Sequence, residues 1–164
     1  MINIIRYNDK YKNYIIELVL HCQNDGTRPF VNAENQTELF NIEDYFFKDG
    51  GYFWLALDDD KLAGTIALKK YNNEVAGLKK FFVWEEYRSN PHYLGQKLYA
   101  KFLNYALCNN FKTIVLSTPK NTQRAHNFYK KAGFKLTDKK NIPVTIDDPY
   151  SECDYFILEI TPDN

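Results

Sequence analysis

Gly95 stands where a polar interruption, YRSNPHY, gives way to a regular apolar repeat. A strand that ends in such a loop and opens a helix presents backbone N–H groups with no partner inside the helix. Those donors and the helix dipole suit a pyrophosphate, and a glycine there lets a ligand approach the backbone. Taken alone, the same letters fit an ordinary strand–loop–helix crossover about as well. A second group is Ala125, Phe128, Tyr129 and Ala132, spaced i, i+3, i+4, i+7. Taken alone, that stripe reads as helix core. Other reactive side chains form no set. Cys22, Cys108 and Cys153 lack CxxC spacing, so neither a zinc site nor a disulfide framework is expected. His21 and Cys22 lack a third partner for nucleophilic chemistry, and Cys108 reads as a small core residue. His92 reads as a loop histidine and His126 as solvent-facing. No GxGxxG or GxxxxGK(S/T) run is present, which argues against a nucleotide- or flavin-binding protein.

The elements that must carry these residues follow from periodicity. Residues 2–7 read as a strand, and Tyr11, Ile15, Leu18, Val19 and Cys22 as one face of a helix. Residues 34–47 read as a second helix with Leu39, Ile42 and Phe46 on one side. Strands over 51–58 and 62–71 are separated by Asp59-Asp60-Lys61, and a third covers 74–84. Its apolar end, Phe81 to Trp84, favours a central strand buried on both faces. A helix over about 91–109 places Leu94, Leu98, Phe102 and Ala106 on one stripe, with Pro91 tolerated in its first turn. The strand 112–118 then implies a parallel crossover. Asn121 or Thr122 caps the next helix, which Gly133 ends in a left-handed turn. Strands at 134–138 and 153–160 complete a mixed α/β sheet of about six to seven strands with helices on both faces, in one domain spanning 1–164.

Bulk properties set limits. The chain has 164 residues, 21 basic and 21 acidic, with 13 Tyr, 12 Phe and 2 Trp. It is long enough for one well-buried core. A formal net charge of zero argues against nucleic-acid binding, which relies on phosphate neutralisation. No apolar run approaches the length of a membrane span, and no signal peptide is visible in MINIIRYNDKYK. A cytoplasmic location without membrane attachment is the expectation.

Three pieces now resemble the GNAT superfamily of acyl-CoA-dependent N-acetyltransferases: LKKFFVWEEYR, YLGQKLYAKFLNYA and RAHNFYKKAGF. They come in the family's order and spacing, and the element order of nearly the whole chain agrees. The third piece is the more specific, since it resembles a small residue followed by FYxKxGF. One departure stands out. The usual phosphate-loop pattern is Arg or Gln, two residues, Gly, one residue, then Gly or Ala. Aligning Gly95 with its last position puts Tyr93 at the first glycine and Asn90 at the Arg or Gln. Alternatively, Tyr87-Arg88 matches the family's YR, and the loop is about two residues longer. The second alignment is preferred, and the amide donors stay open.

The resemblance implies acetyl-CoA as cosubstrate, no metal, and an acceptor that is a small-molecule amine or a peptide amino terminus. It implies that the pantetheine arm lies between splayed strands 78–84 and 112–117. The backbone amide of Val83 or a neighbour would face the thioester carbonyl. The cofactor-binding set is Phe82, Val83, Arg88, Tyr93, Leu94, Gly95, Asn121 and Phe128. Tyr129 matches the tyrosine that many members use as acid for the departing thiolate, a role suited to a phenol of pKa near 10. Some members carry a glutamate base just before the residue matching Leu78; here it is Gly77. Glu74, Asp148, Tyr150, Asp154 or a water chain remain as candidates. The acceptor cannot be named: no acidic run marks a polycation pocket, and Arg28, Arg88 and Arg124 are scattered. A homodimer is compatible with this reading, and a binding module without turnover is the alternative.

Overall fold

The computed structural model describes residues 1–26, 31–120, 122–147 and 152–161. Its strands are β1 Ile2–Arg6, β2 Tyr52–Asp58, β3 Lys61–Lys70, β4 Val75–Val83, β5 Thr113–Pro119, β6 Lys135–Thr137 and β7 Cys153–Glu159. The helices are α1 Lys12–Gln23, α2 Leu94–Cys108 and α3 Gln123–Lys131. The strands form a mixed sheet in the order β1-β2-β3-β4-β5-β7-β6. β1 to β4 form an antiparallel meander. β4 and β5 run parallel, as a helical crossover requires, and β7 is antiparallel to β5 and β6.

Each face of the sheet is covered by the stripe its sequence dictates. Leu94, Leu98, Phe102 and Ala106 of α2 are fully buried against Trp54, Ile66, Leu68 and Ile114. Ile15, Leu18, Val19 and Cys22 of α1 pack on the other face with Phe46, Phe53 and Leu55. Phe46, Phe53, Phe102 and Phe156 are among the largest fully buried side chains. Each stabilises the fold by roughly 1.5–3 kcal/mol through burial alone. Among the described residues, no helix is long and apolar enough to cross a membrane.

Three expectations are corrected. Residues 34–47 are not one helix. Short turns at Ala33–Asn35, Thr37–Phe40 and Glu43–Phe47 are separated by Gln36 (φ −128°) and Asn41 (φ −136°). Gln36 is buried and spends its amide on tertiary hydrogen bonds, so the apolar spacing of Leu39, Ile42 and Phe46 survives without helical continuity. The helix expected from Pro91 begins instead at Leu94, after Tyr93 in the left-handed region (φ 43°). Cys108 is exposed rather than core, because the buried stripe of α2 ends at Ala106.

Two irregularities in β4 shape the site. Its register with β3 shifts between Thr65 and Ala67. Opposite that shift, Lys80 adopts φ 51°, and its carbonyl accepts a 2.7 Å hydrogen bond from the Thr65 hydroxyl. A left-handed L-residue costs roughly 1–2 kcal/mol, so this bulge must be held by its surroundings. Second, β4 and β5 pair only at Val75–Thr113, Ala76–Ile114 and Gly77–Val115. Beyond those pairs both strands continue, to Val83 and Pro119, without bonding to each other. β3 holds β4 on one side and β7 holds β5 along its length on the other, so the sheet opens as a wedge.

Candidate active site

Two cavities meet at that wedge and share Phe81, Phe82, Ala125 and Tyr129 as walls. The larger, about 570 Å³, is lined by Cys22, Val83, Arg88, Gly95, Gln96, Arg124, Asn127, Phe128 and Lys131 besides the shared four. The smaller, about 120 Å³, lies on the side of Gln23, Glu38, Tyr71, Lys79, Lys80 and Asp147. The apolar end of β4 is therefore only half-buried at Phe81 and Phe82, because the neighbour expected on that edge has parted from it.

Most of the expected cofactor set converges on the larger cavity. Phe82, Val83, Arg88, Gly95 and Phe128 all line it. Arg88 donates from Nε to the Val83 carbonyl at 2.9 Å, which fixes the guanidinium on the cavity wall. This favours the alignment of Tyr87-Arg88 with the family's YR, followed by a longer loop. A Cβ on Gly95 would meet nothing nearer than Phe81 Cζ at 3.6 Å and Phe128 Cε2 at 3.7 Å. The protein has room for that atom, so the space left by the glycine belongs to the cavity. Tyr93 is exposed and Leu94 is fully buried in the core. Neither side chain lines the cavity, so only their backbone could serve a ligand at the start of α2. Asn121 lies outside the described residues.

The Trp84 N–H bonds to the Ala63 carbonyl at 2.9 Å. Backbone groups alternate sides along a strand, so the Val83 N–H faces the open edge. Its carbonyl on that edge takes the Arg88 bond. Tyr129 is buried yet lines both cavities, packed edge-on to Phe128 and Phe134. The stripe of α3 that resembles core is thus largely a cavity wall.

The expected bases do not gather here. Glu74 is exposed and pairs with Lys112 at 3.3 Å, at the far end of β4. Asp154 lies 3.4 Å from His126 Nε2. His126 is not solvent-facing: it packs against Phe156. Asp148 and Tyr150 lie outside the described residues. Instead the smaller cavity holds Glu38, which nothing in the local sequence marks. Glu38 Oε1 is 2.9 Å from Lys80 Nζ, and Lys80 also donates to Gln36 Oε1 at 2.8 Å. Gln36 and Gln23 exchange 2.7 Å hydrogen bonds. Burial pushes the Glu38 carboxyl up, but the charge and hydrogen bond of Lys80, with Lys79 nearby, outweigh it and hold the group below its ordinary value.

Known proteins agree with this geometry. The profile of the Acetyltransferase (GNAT) family matches residues 19–134, more than two thirds of the 164 residues. A solved acetyltransferase from Streptococcus agalactiae superposes with a TM-score of 0.92 at 33% identity, covering 97% of this chain and 98% of that one. A GNAT family acetyltransferase from Elizabethkingia anophelis with acetyl-CoA bound shares the fold (TM-score 0.62, 20% identity, 97% and 98% covered). The N-acetylaspartate synthetase of Xenopus tropicalis is 31% identical over 102 residues, 61% of this chain, and the chain spans 37% of that relative's length. The chain belongs to the GNAT family of acetyltransferases.

Proposed function

We propose that the protein transfers an acetyl group from acetyl-CoA to a primary amine of a small molecule or an amino terminus, by direct attack. The observation that carries this is the wedge between β4 and β5, open beyond Gly77 and Val115, with Tyr129 in the wall of both cavities. A thioester arm running from the larger cavity toward the wedge would set its phosphates toward Gly95 and the first amides of α2. The Val83 N–H would donate to the carbonyl oxygen as it becomes anionic. The acceptor's ammonium first gives one proton to water, and the neutral amine nitrogen, entering from the smaller cavity, bonds to the carbonyl carbon. The C–S bond then breaks, and the thiolate takes the Tyr129 hydroxyl proton. The nitrogen's second proton leaves to water, and water returns a proton to the Tyr129 phenolate. The relative named N-acetylaspartate synthetase is named for an N-acetylated product, in line with nitrogen as the acceptor. The cytoplasm, where acetyl-CoA is made available, is the compartment we assign.

The test is release of free thiol from acetyl-CoA across amino acids, polyamines, aminoglycosides and peptides. Amine-dependent release that is lost in Tyr129→Phe, while acetyl-CoA still binds, supports the proposal. Binding of acetyl-CoA with no release from any amine would leave a binding module instead.

A further inference from the structure

We propose that the acceptor is an amine that also carries a carboxylate, as an amino acid does, with its ammonium against Glu38 and its carboxylate against Lys79. This rests on the acetyl-transfer reading of the same site. Three observations in the smaller cavity carry it.

The first is size. A volume of about 120 Å³ admits a compact acceptor.

The second is the state of Glu38. Its Oε1 is engaged by Lys80, and its carboxyl is held low by the lysines around it. It is therefore an anion throughout the neutral range. The residue also lines the cavity. A carboxylate in that condition attracts an ammonium. Lys80 is 7% exposed and is held by Gln36 and by the bulge of β4. The carboxylate is therefore presented in a fixed position rather than on a mobile arm.

The third is the sign of the remaining charge. Lys79 Nζ reaches across the mouth of the wedge to the Asp147 carbonyl at 3.2 Å, and its charge is felt at Glu38. A polyamine bound at Glu38 would bring its second ammonium toward Lys79 and Lys80, and like charges at short range in a confined site exclude it. An amino acid presents opposite signs to both groups. Asp147 lines the same cavity, so the charges on the lining are mixed rather than uniformly basic.

The experiment measures thiol release for the common amino acids, their carboxamides, the corresponding decarboxylated amines and spermidine. Wild type and Lys79→Gln are compared, with acetyl-CoA affinity followed by calorimetry. At least one amino acid should exceed its own carboxamide by about tenfold or more in kcat/KM, the scale of one lost charged contact. Lys79→Gln should bring that ratio close to one with acetyl-CoA affinity retained. Lys79 is half-buried and bonds to the Asp147 carbonyl, so a melting curve on the variant separates recognition from folding. If carboxamides or spermidine react as well as amino acids, the inference falls while acetyl transfer stands. If the ratio survives Lys79→Gln, the carboxylate seat is misplaced. If acetyl-CoA binds but no amine of any class releases thiol, the underlying reading fails and takes this one with it.

Discussion

Gly77 is the last residue of β4 paired to β5, and the Tyr71 ring occupies the place where its side chain would project. A Cβ built there would lie 2.5 Å from Tyr71 Cε2. The position just before Leu78 is thus filled from a neighbouring turn. Both residues line the smaller cavity.

Gly77→Ala should therefore displace Tyr71, at a cost of about 1–3 kcal/mol for overpacking. The effect on turnover should be asymmetric. The acceptor KM should rise, because the ring moves within the smaller cavity, while acetyl-CoA affinity stays as it was. Thermal melting and separate titrations of the two substrates check both parts. A variant with unchanged acceptor KM would show that Tyr71 does not shape acceptor binding.

Tyr129→Phe keeps the ring contacts with Phe134 and Phe156, at centroid distances of 5.6 and 5.7 Å, and removes only the hydroxyl. If the hydroxyl protonates the thiolate, kcat should fall about 10²-fold or more, with acetyl-CoA binding retained. Thiol-release assays and calorimetric titration of wild type and variant measure both.

The site was legible where function runs along one element. The stripe of α3 and the spacing of Arg88 and Gly95 from β4 are local, so a motif could place them. The wedge was legible only through the resemblance, because nothing in the letters of β4 says where its pairing with β5 stops. Glu38, Gln36 and Lys80 were not legible at all. They come from a segment that reads as one amphipathic helix and from a strand that reads as continuously paired. They meet only because Gln36 breaks the first and the bulge at Lys80 breaks the second. The apolar run Phe81 to Trp84 misled for the same reason: hydrophobicity reports burial, and a cavity waiting for an apolar arm asks for the same side chains as a neighbouring strand.

Gly95→Ala should raise stability while weakening acetyl-CoA binding. Alanine is favoured over glycine in a helix by up to about 1 kcal/mol, and the nearest atoms to its Cβ are at ordinary contact distance. The methyl group would instead occupy cavity space beside the α2 amides. Gly95→Val should weaken binding further without unfolding the protein. Calorimetric titration with CoA and a melting curve on each variant read the two effects separately. Equal affinity in all three proteins would place the phosphates elsewhere.

The Glu38–Lys80 pair should show in the pH dependence of stability. The folded Glu38 carboxyl is held below its ordinary value near 4.5. Linkage then gives the sign: the unfolded chain binds the proton first, so the pair's contribution is complete above about pH 5. It is lost as pH falls through the folded value. Lys80→Met leaves a partly buried carboxylate without its cation and should cost about 3 kcal/mol near neutrality. Glu38→Leu combined with Lys80→Met should recover much of that loss, since neither charge remains to be solvated. Denaturant melts of wild type and both variants at pH 7 and at pH 3 check this. The gap between wild type and Lys80→Met should be smaller at the lower pH, since protonation of the carboxyl weakens its pairing with Lys80. A gap independent of pH would mean that Lys80 acts through the packing of its stem and the bulge alone.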